Sequence, residues 1–160
     1  MTQKEFYKIT EYIGSIIKGT EWENHIWAVG GSIRDLCMGN DIKDIDLVID
    51  LPDGGVNFAN WCKEHGYTKT VVVYPTYGTA AMKILNEDIE CVMTRGEKYL
   101  DSGSRNREVK FANLKEDAFR RDLTINALYY NCSTGEIMDP TGYGLMDIKN
   151  KICRTPMELL

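Results

Sequence analysis

Apolar residues recur along the first third of the chain at two different intervals, and the change of interval separates the elements. Between residues 4 and 19, Phe6, Ile9, Tyr12 or Ile13, and Ile16-Ile17 fall three to four positions apart. That is the spacing of a helix burying one stripe, with Gly19 as its stop. Ile26-Trp27-Ala28-Val29 is a short continuous apolar run and reads as a strand. After Gly30-Gly31, residues 33–38 hold no breaker until Gly39, so a short helix is expected with Ser32 as its N-cap. From Asp44 the interval becomes two. Ile45, Leu47 and Ile49 share one face of a strand, and Asp44 and Asp46 share the other.

Leu51-Pro52-Asp53-Gly54-Gly55 is a turn, and Val56 to His65 reads as a helix stopped by Gly66. Phe58 and Trp61 on it read as core residues rather than a platform for bases. Thr70 to Tyr74 is strongly β-forming and closed by Pro75. Thr79 to Leu85 and Ile89 to Met93 read as two further strands, joined by a hairpin turn at Asn86-Glu87-Asp88. Residues 95–108 are polar, with Gly, Ser and Asn, and read as a mobile loop. Leu114 to Arg121 is expected to be a helix capped by Asn113. Leu128-Tyr129-Tyr130 resumes a strand, Ser133 to Glu136 turns it back into Ile137-Met138, and residues 142–151 close with a short helix. Alternating elements followed by clustered strands predict an α/β chain with a mixed sheet.

Length and composition narrow this picture without redirecting it. The 160 residues suit one domain with a proper core, and 43% apolar with 27% charged residues is ordinary for a globular protein. The apolar runs are too short to span a bilayer and the N-terminus lacks a signal-peptide core, so no membrane association and a cytoplasmic location are expected. Cys37, Cys62, Cys91, Cys132 and Cys153 are scattered, odd in number and form no CxxC pair, the pattern of reduced thiols. His25 and His65 are isolated and carry no catalytic expectation. The net charge is −5, but residues 95–121 hold eight basic and five acidic side chains, a local excess suited to phosphate.

The chemistry concentrates in Val29 to Asp50. Two glycines after a strand let the backbone turn sharply and a ligand come close. A turn opening into a helix offers free N–H groups to an anion, and Arg34, one turn inside, can fork onto a phosphate. Asp44 and Asp46 on one strand face repel each other unless a cation lies between them. Oxygen-only ligands favour Mg2+ or Mn2+ over zinc. An anion cradle beside a carboxylate pair equips a site for metal-assisted phosphoryl or nucleotidyl transfer.

GGSIRDLCMG followed by DIDLVID resembles the signature of the class II tRNA nucleotidyltransferases (CCA-adding enzymes) and bacterial poly(A) polymerases, members of the polymerase-β-like nucleotidyltransferase superfamily. Arg120-Arg121-Asp122-Leu123-Thr124-Ile125-Asn126-Ala127-Leu128, about seventy-five residues on, is similar to that family's RRDxxxNA motif. Asp139-Pro140-Thr141-Gly142 and Ile152-Cys153-Arg154-Thr155-Pro156 match the end of its catalytic head.

The resemblance implies a five-stranded mixed sheet flanked by helices, and transfer of CMP or AMP from CTP or ATP to an RNA 3′ end, in tRNA above all. It implies Asp44 and Asp46 as catalytic metal ligands, with Glu90 on an adjacent strand as a third catalytic acid. Gly31 and Arg34 fall to the triphosphate, Gly30, Ser32 and Arg121 to nucleotide binding, and Asp122 with Asn126, one helical turn apart if the helix persists, to the ribose hydroxyls. Asp35 is expected to orient Arg34 or its own helix rather than bind metal. Residues 1–155 then form the head and 156–160 the start of a neck. The family's Asp/Glu-Asp-x-x-Arg stretch, which chooses between CTP and ATP, is expected just beyond Thr155-Pro156, and the sequence reaches Leu160 without it. The chain therefore reads as a head from a longer enzyme, as a small free-standing transferase with another acceptor, or as the partner of a chain carrying the remaining domains. A nucleotide- or RNA-binding module with lapsed catalysis is the non-enzymatic alternative, disfavoured by the intact carboxylates and arginines.

Overall fold

Thr2 starts the first helix. Its hydroxyl accepts from the Glu5 N–H at 3.1 Å while the Glu5 carboxylate accepts from the Thr2 N–H, a reciprocal cap that fixes α1 at Gln3–Ile17. The helix turns Phe6, Ile9, Ile13 and Ile17 inward, with Ile13 rather than Tyr12 completing the stripe. The computed structural model describes residues 1–96 and 110–159. Within them follow β1 (Ile26–Val29), α2 (Gly31–Cys37), β2 (Ile45–Ile49), α3 (Gly54–Glu64), β3 (Val71–Tyr74), β4 (Thr79–Ile84) and β5 (Glu87–Met93). Then come α4 (Leu114–Phe119), β6 (Tyr129–Asn131), β7 (Ile137–Met138) and α5 (Gly144–Asn150).

The strands form one mixed sheet in the order β3-β4-β5-β2-β1-β6-β7, with β2 and β5 parallel and the other neighbours antiparallel. The sheet has seven strands, not the expected five. Seven apolar segments were already visible in the sequence, and the two short edge strands, β3 and β7, extend the five central ones.

The alternation in β2 sends its two sets of side chains to different places. Ile45, Leu47 and Ile49 enter the larger core with Phe6, Ile13, Phe58 and Ile84, beneath α1 and α3. Phe58 is fully buried and Trp61 stacks on it at 6.0 Å, so both serve packing. On the opposite face Trp27, Val29, Val48 and Tyr129 pack with Ala118 and Ala127 in a smaller cluster. That second face is covered only in part, and its open portion carries the polar chemistry.

Several boundaries differ from expectation for local reasons. Leu85 and Asn86 both adopt positive φ (51° and 67°). They make a two-residue hairpin loop, so Glu87 and Asp88 belong to β5 and not to the turn. Helix α3 starts two residues early, at Gly54 behind a left-handed Asp53. Helix α4 stops at Phe119 rather than Arg121, because residues 120–123 leave the helical path before a 3-10 turn at Thr124–Asn126. Of the expected loop at 95–108, Arg95 and Gly96 are described, and Arg95 bridges Phe111 in extended form; residues 97–108 lie outside the described residues. The buried Asp147 of α5 accepts from the Thr124 hydroxyl at 2.6 Å and from Arg154, tying the last described segment to the 3-10 turn. Among the described residues all five cysteines are free thiols, and no helix is long and apolar enough to cross a membrane.

Candidate active site

One row of register partners crosses the open face. Val72, Ala81, Glu90, Asp46, Val29 and Tyr129 are successive partners on β3, β4, β5, β2, β1 and β6. Residues paired in this way project to the same face, so Asp46 stands beside Glu90 on one side and Val29 on the other. The chain leaves Val29 directly into Gly30, which has φ +80° and ψ −141°, a backbone conformation that glycine alone adopts without strain.

Gly30, and not Ser32, occupies the N-cap of α2. The Ile33 and Arg34 N–H groups both donate to its carbonyl at 3.1 Å. Ser32 lies inside the first turn, buried, with its hydroxyl donating to the Val29 carbonyl at 3.1 Å. A Ser hydroxyl turned back onto the preceding strand braces the turn.

Two guanidinium groups flank that turn. A Cβ on Gly31 would lie 3.1 Å from Nη2 of Arg34, and one on Gly30 would lie 4.0 Å from Nη1 of Arg121. Arg34 is oriented by Asp35, whose Oδ1 accepts from Nε at 3.2 Å, as expected for that residue. Its Nη1 donates to Oδ1 of Asn126 at 3.0 Å, and Nδ2 of Asn126 donates to Asp122 at 3.2 Å. Asp122 and Asn126 thus meet, although no helix joins them. The two sequence motifs, 92 residues apart at the Arg34–Asn126 bond, form one chain of hydrogen bonds.

Asp44 sits just before β2 and is close enough to Asp46 to act on it electrostatically. The Asp46 carboxyl is raised above the ordinary carboxylate value by partial burial, then by Glu90 and Asp44, with Arg121 opposing. Accumulated negative charge of this kind fits a divalent cation, and the donors are hard oxygens. Among the described residues no three His, Cys, Asp or Glu side chains converge as a ready-made metal cage. The residues present fit a divalent ion that Asp44 and Asp46 would hold. Asp44, Asp46 and Glu90 also line a cleft of about 870 Å³ that opens on the β5 side, over Val72, Ala81 and Lys83.

Two residues of this face escape a reading of the sequence. Asp117 is fully buried, and both of its oxygens are engaged. Oδ2 accepts from Nε and Nη2 of Arg121 at 3.2 and 3.1 Å and from the Tyr129 hydroxyl at 2.5 Å. Oδ1 accepts from Nη2 of Arg120 at 3.0 Å and from the Arg95 N–H at 2.9 Å. Burial alone would raise this carboxyl, but Arg121, Arg120 and the Tyr129 hydroxyl hold it below the ordinary value. The available signal was an aspartate three and four positions before a pair of arginines, the spacing of helical ion pairs.

Residues 26–154 match the poly A polymerase head domain. The chain is 35% identical to tRNA nucleotidyltransferase cca1 of Schizosaccharomyces pombe, over 98% of its own length and 34% of the relative's. It is 38% identical to the CCA-adding enzyme of Bacillus pumilus, over 79% of this chain and 30% of that protein. Among solved structures it superposes, with TM-score 0.71 and 31% identity, on a tRNA nucleotidyltransferase complexed with a primer tRNA and an incoming ATP analog, covering 90% of this chain and 38% of that one. The chain therefore spans about a third of the length of the relatives it matches. With four-fifths of its residues inside that match and the fold of its solved relatives, the chain belongs to the poly A polymerase head domain family.

Proposed function

We propose that this chain transfers a nucleoside monophosphate from ATP or CTP to the 3′-hydroxyl of an RNA, with a tRNA 3′ end as the acceptor. The observation that carries the reading is the position of Asp46, in register between Glu90 and the strand residue preceding the arginine-flanked Gly30 turn. The carboxylates and the arginine-flanked turn lie side by side on neighbouring strands, with Arg121 near enough to act on Asp46, as a reaction that neutralises and displaces phosphate oxygens requires.

The polarity of the site favours a different side for each substrate. Arg34 and Arg121 flank the turn on the β1 side of Asp46, so the triphosphate tail lies there and pyrophosphate leaves in that direction. In-line displacement then brings the attacking hydroxyl from the opposite side, where the cleft opens over β5, β4 and β3. Its oxygen bonds to the α-phosphorus as the bond to pyrophosphate breaks. Glu90 orients the hydroxyl, and Asp122 with Asn126 reads the ribose of the incoming nucleotide. Asp44 and Asp46 would hold a divalent ion, Mg2+ or Mn2+, which would acidify the hydroxyl and neutralise the phosphate charge. The protein itself contributes orientation and fixed charge. Free thiols throughout the chain suit a reducing compartment such as the cytoplasm.

The test is incorporation of labelled AMP or CMP into tRNA lacking its 3′ end. Incorporation that depends on magnesium and falls by at least about a thousandfold in Asp44→Ala and Asp46→Ala supports the reading. Tight triphosphate binding without turnover, even with a family neck and body added, would instead make this a nucleotide-binding module.

A further inference from the structure

We infer that Asp117 and Tyr129 are positioning residues for nucleotide binding: they hold the Arg121 guanidinium so that one of its nitrogens is presented to the Gly30 turn before any ligand arrives. The inference rests on the transferase reading above and adds two residues and a binding determinant to it.

The geometry divides the three guanidinium nitrogens of Arg121 between two tasks. Nε and Nη2 are taken by Oδ2 of Asp117, and Nε also donates to the Tyr129 hydroxyl at 3.2 Å. Nη1 is the nitrogen at the glycine turn. Tyr129 closes the arrangement by donating its own hydroxyl to Asp117. The guanidinium carbon also lies 5.6 Å from the centre of the Tyr129 ring. Tyr129 is fully buried and shares the transverse row with Val29 and Asp46, so this clamp is referenced to the strand that carries the carboxylates. An arginine held by a planar carboxylate on two nitrogens and by a ring beside it has few rotamers left. Its ordering cost is met during folding rather than on binding.

The sign of Asp117 makes this testable. A buried carboxylate beside a phosphate-binding arginine repels the phosphate. Coulomb's law alone therefore predicts that removing its charge tightens triphosphate binding. Positioning predicts the reverse, because the freed guanidinium no longer presents Nη1 to the turn. It also predicts that the loss is confined to the phosphates.

The experiment measures the dissociation constants of ATP with magnesium and of adenosine for the wild-type chain, Asp117→Asn, Asp117→Glu and Tyr129→Phe. For Asp117→Asn, ATP affinity is expected to fall at least about tenfold, the effect of losing a charge-assisted hydrogen bond, with adenosine unchanged. Asp117→Glu is expected to recover part of the loss. Tyr129→Phe alters no charge and carries the test if Asp117→Asn does not fold; a several-fold loss for ATP alone is expected. ATP bound as tightly as, or more tightly than, by the wild type in the folded variants would overturn the inference. So would parallel losses of ATP and adenosine. A wild-type chain that binds no ATP would overturn the transferase reading itself.

Discussion

Asp46 and Glu90 are direct partners across the parallel β2–β5 ladder, two carboxylates held side by side on the open face of the sheet. The strand register fixes their backbones side by side, and the like charge of Glu90 raises the cost of ionising Asp46. The Asp46 carboxyl is raised accordingly, by partial burial and then by Glu90 and Asp44. Across the same face Asp117 lies below its ordinary value, held there by Arg121 and Arg120 against the effect of burial.

These opposite shifts predict opposite effects on stability. A carboxyl raised by folding binds its proton more tightly in the native state, so its contribution falls as pH rises through the ordinary carboxylate range toward the native value. In metal-free buffer, Asp46→Asn is expected to raise the melting temperature at neutral pH, and the gain should vanish below the ordinary carboxylate value. Asp117 contributes stability above that range, and this is lost as pH falls through its lower native value. Thermal melts of the wild type and Asp46→Asn between pH 3 and 8 check both signs. A neutral-pH Asp46→Asn protein no more stable than the wild type would contradict the first sign, and a variant that loses no stability on acidification to pH 3 would contradict the second.

Much of this face was legible from residue order. The period-two run from Asp44 fixed which side of β2 is wet, and the glycine pair after an apolar strand located the turn. The count of strands was also present in the pattern; the expectation of five came from likeness to a family, whereas β3 and β7 are short edge additions. Asp117 was not legible as a buried group. A carboxylate in the first turn of a short helix reads as a solvated partner of the helix dipole. Its burial follows from the packing of Ala118 against Trp27 and Tyr129, residues distant in sequence. The helical spacing expected for Asp122 and Asn126 does not hold, since the helix stops before them and a 3-10 turn brings the two together.

Gly30 and Gly31 are expected to fail differently. Alanine at Gly30 must adopt φ +80° and ψ −141°, which costs about 1–3 kcal/mol of stability. Alanine at Gly31 meets the guanidinium of Arg34, nearest at Nη2, 3.1 Å away, the far end of a flexible side chain. Gly31→Ala should therefore melt within a degree or two of the wild type, about the effect of a few tenths of a kcal/mol, and yet bind triphosphate more weakly as Arg34 is displaced. Melting curves paired with ATP titrations separate the two effects. Equal destabilisation by both substitutions would contradict this account.

The side assignment of the substrates makes its own prediction. Val72 is about half exposed and lies in the transverse row beyond Glu90, on the cleft side. Val72→Glu adds negative charge where the RNA acceptor is expected to lie and leaves the arginine-flanked turn untouched. The acceptor KM should rise several-fold, in line with the roughly 1 kcal/mol of one unfavourable surface charge pair, with ATP affinity unchanged. A selective loss of ATP binding would place the acceptor on the wrong side.

The most direct measurement is triphosphate binding and nucleotidyl transfer side by side in Asp46→Asn. The account assigns Asp46 to the reaction and the arginine-flanked turn to the triphosphate. It therefore predicts ATP bound at least as tightly as by the wild type, with transfer to RNA abolished. Transfer near the wild-type rate in Asp46→Asn would contradict it.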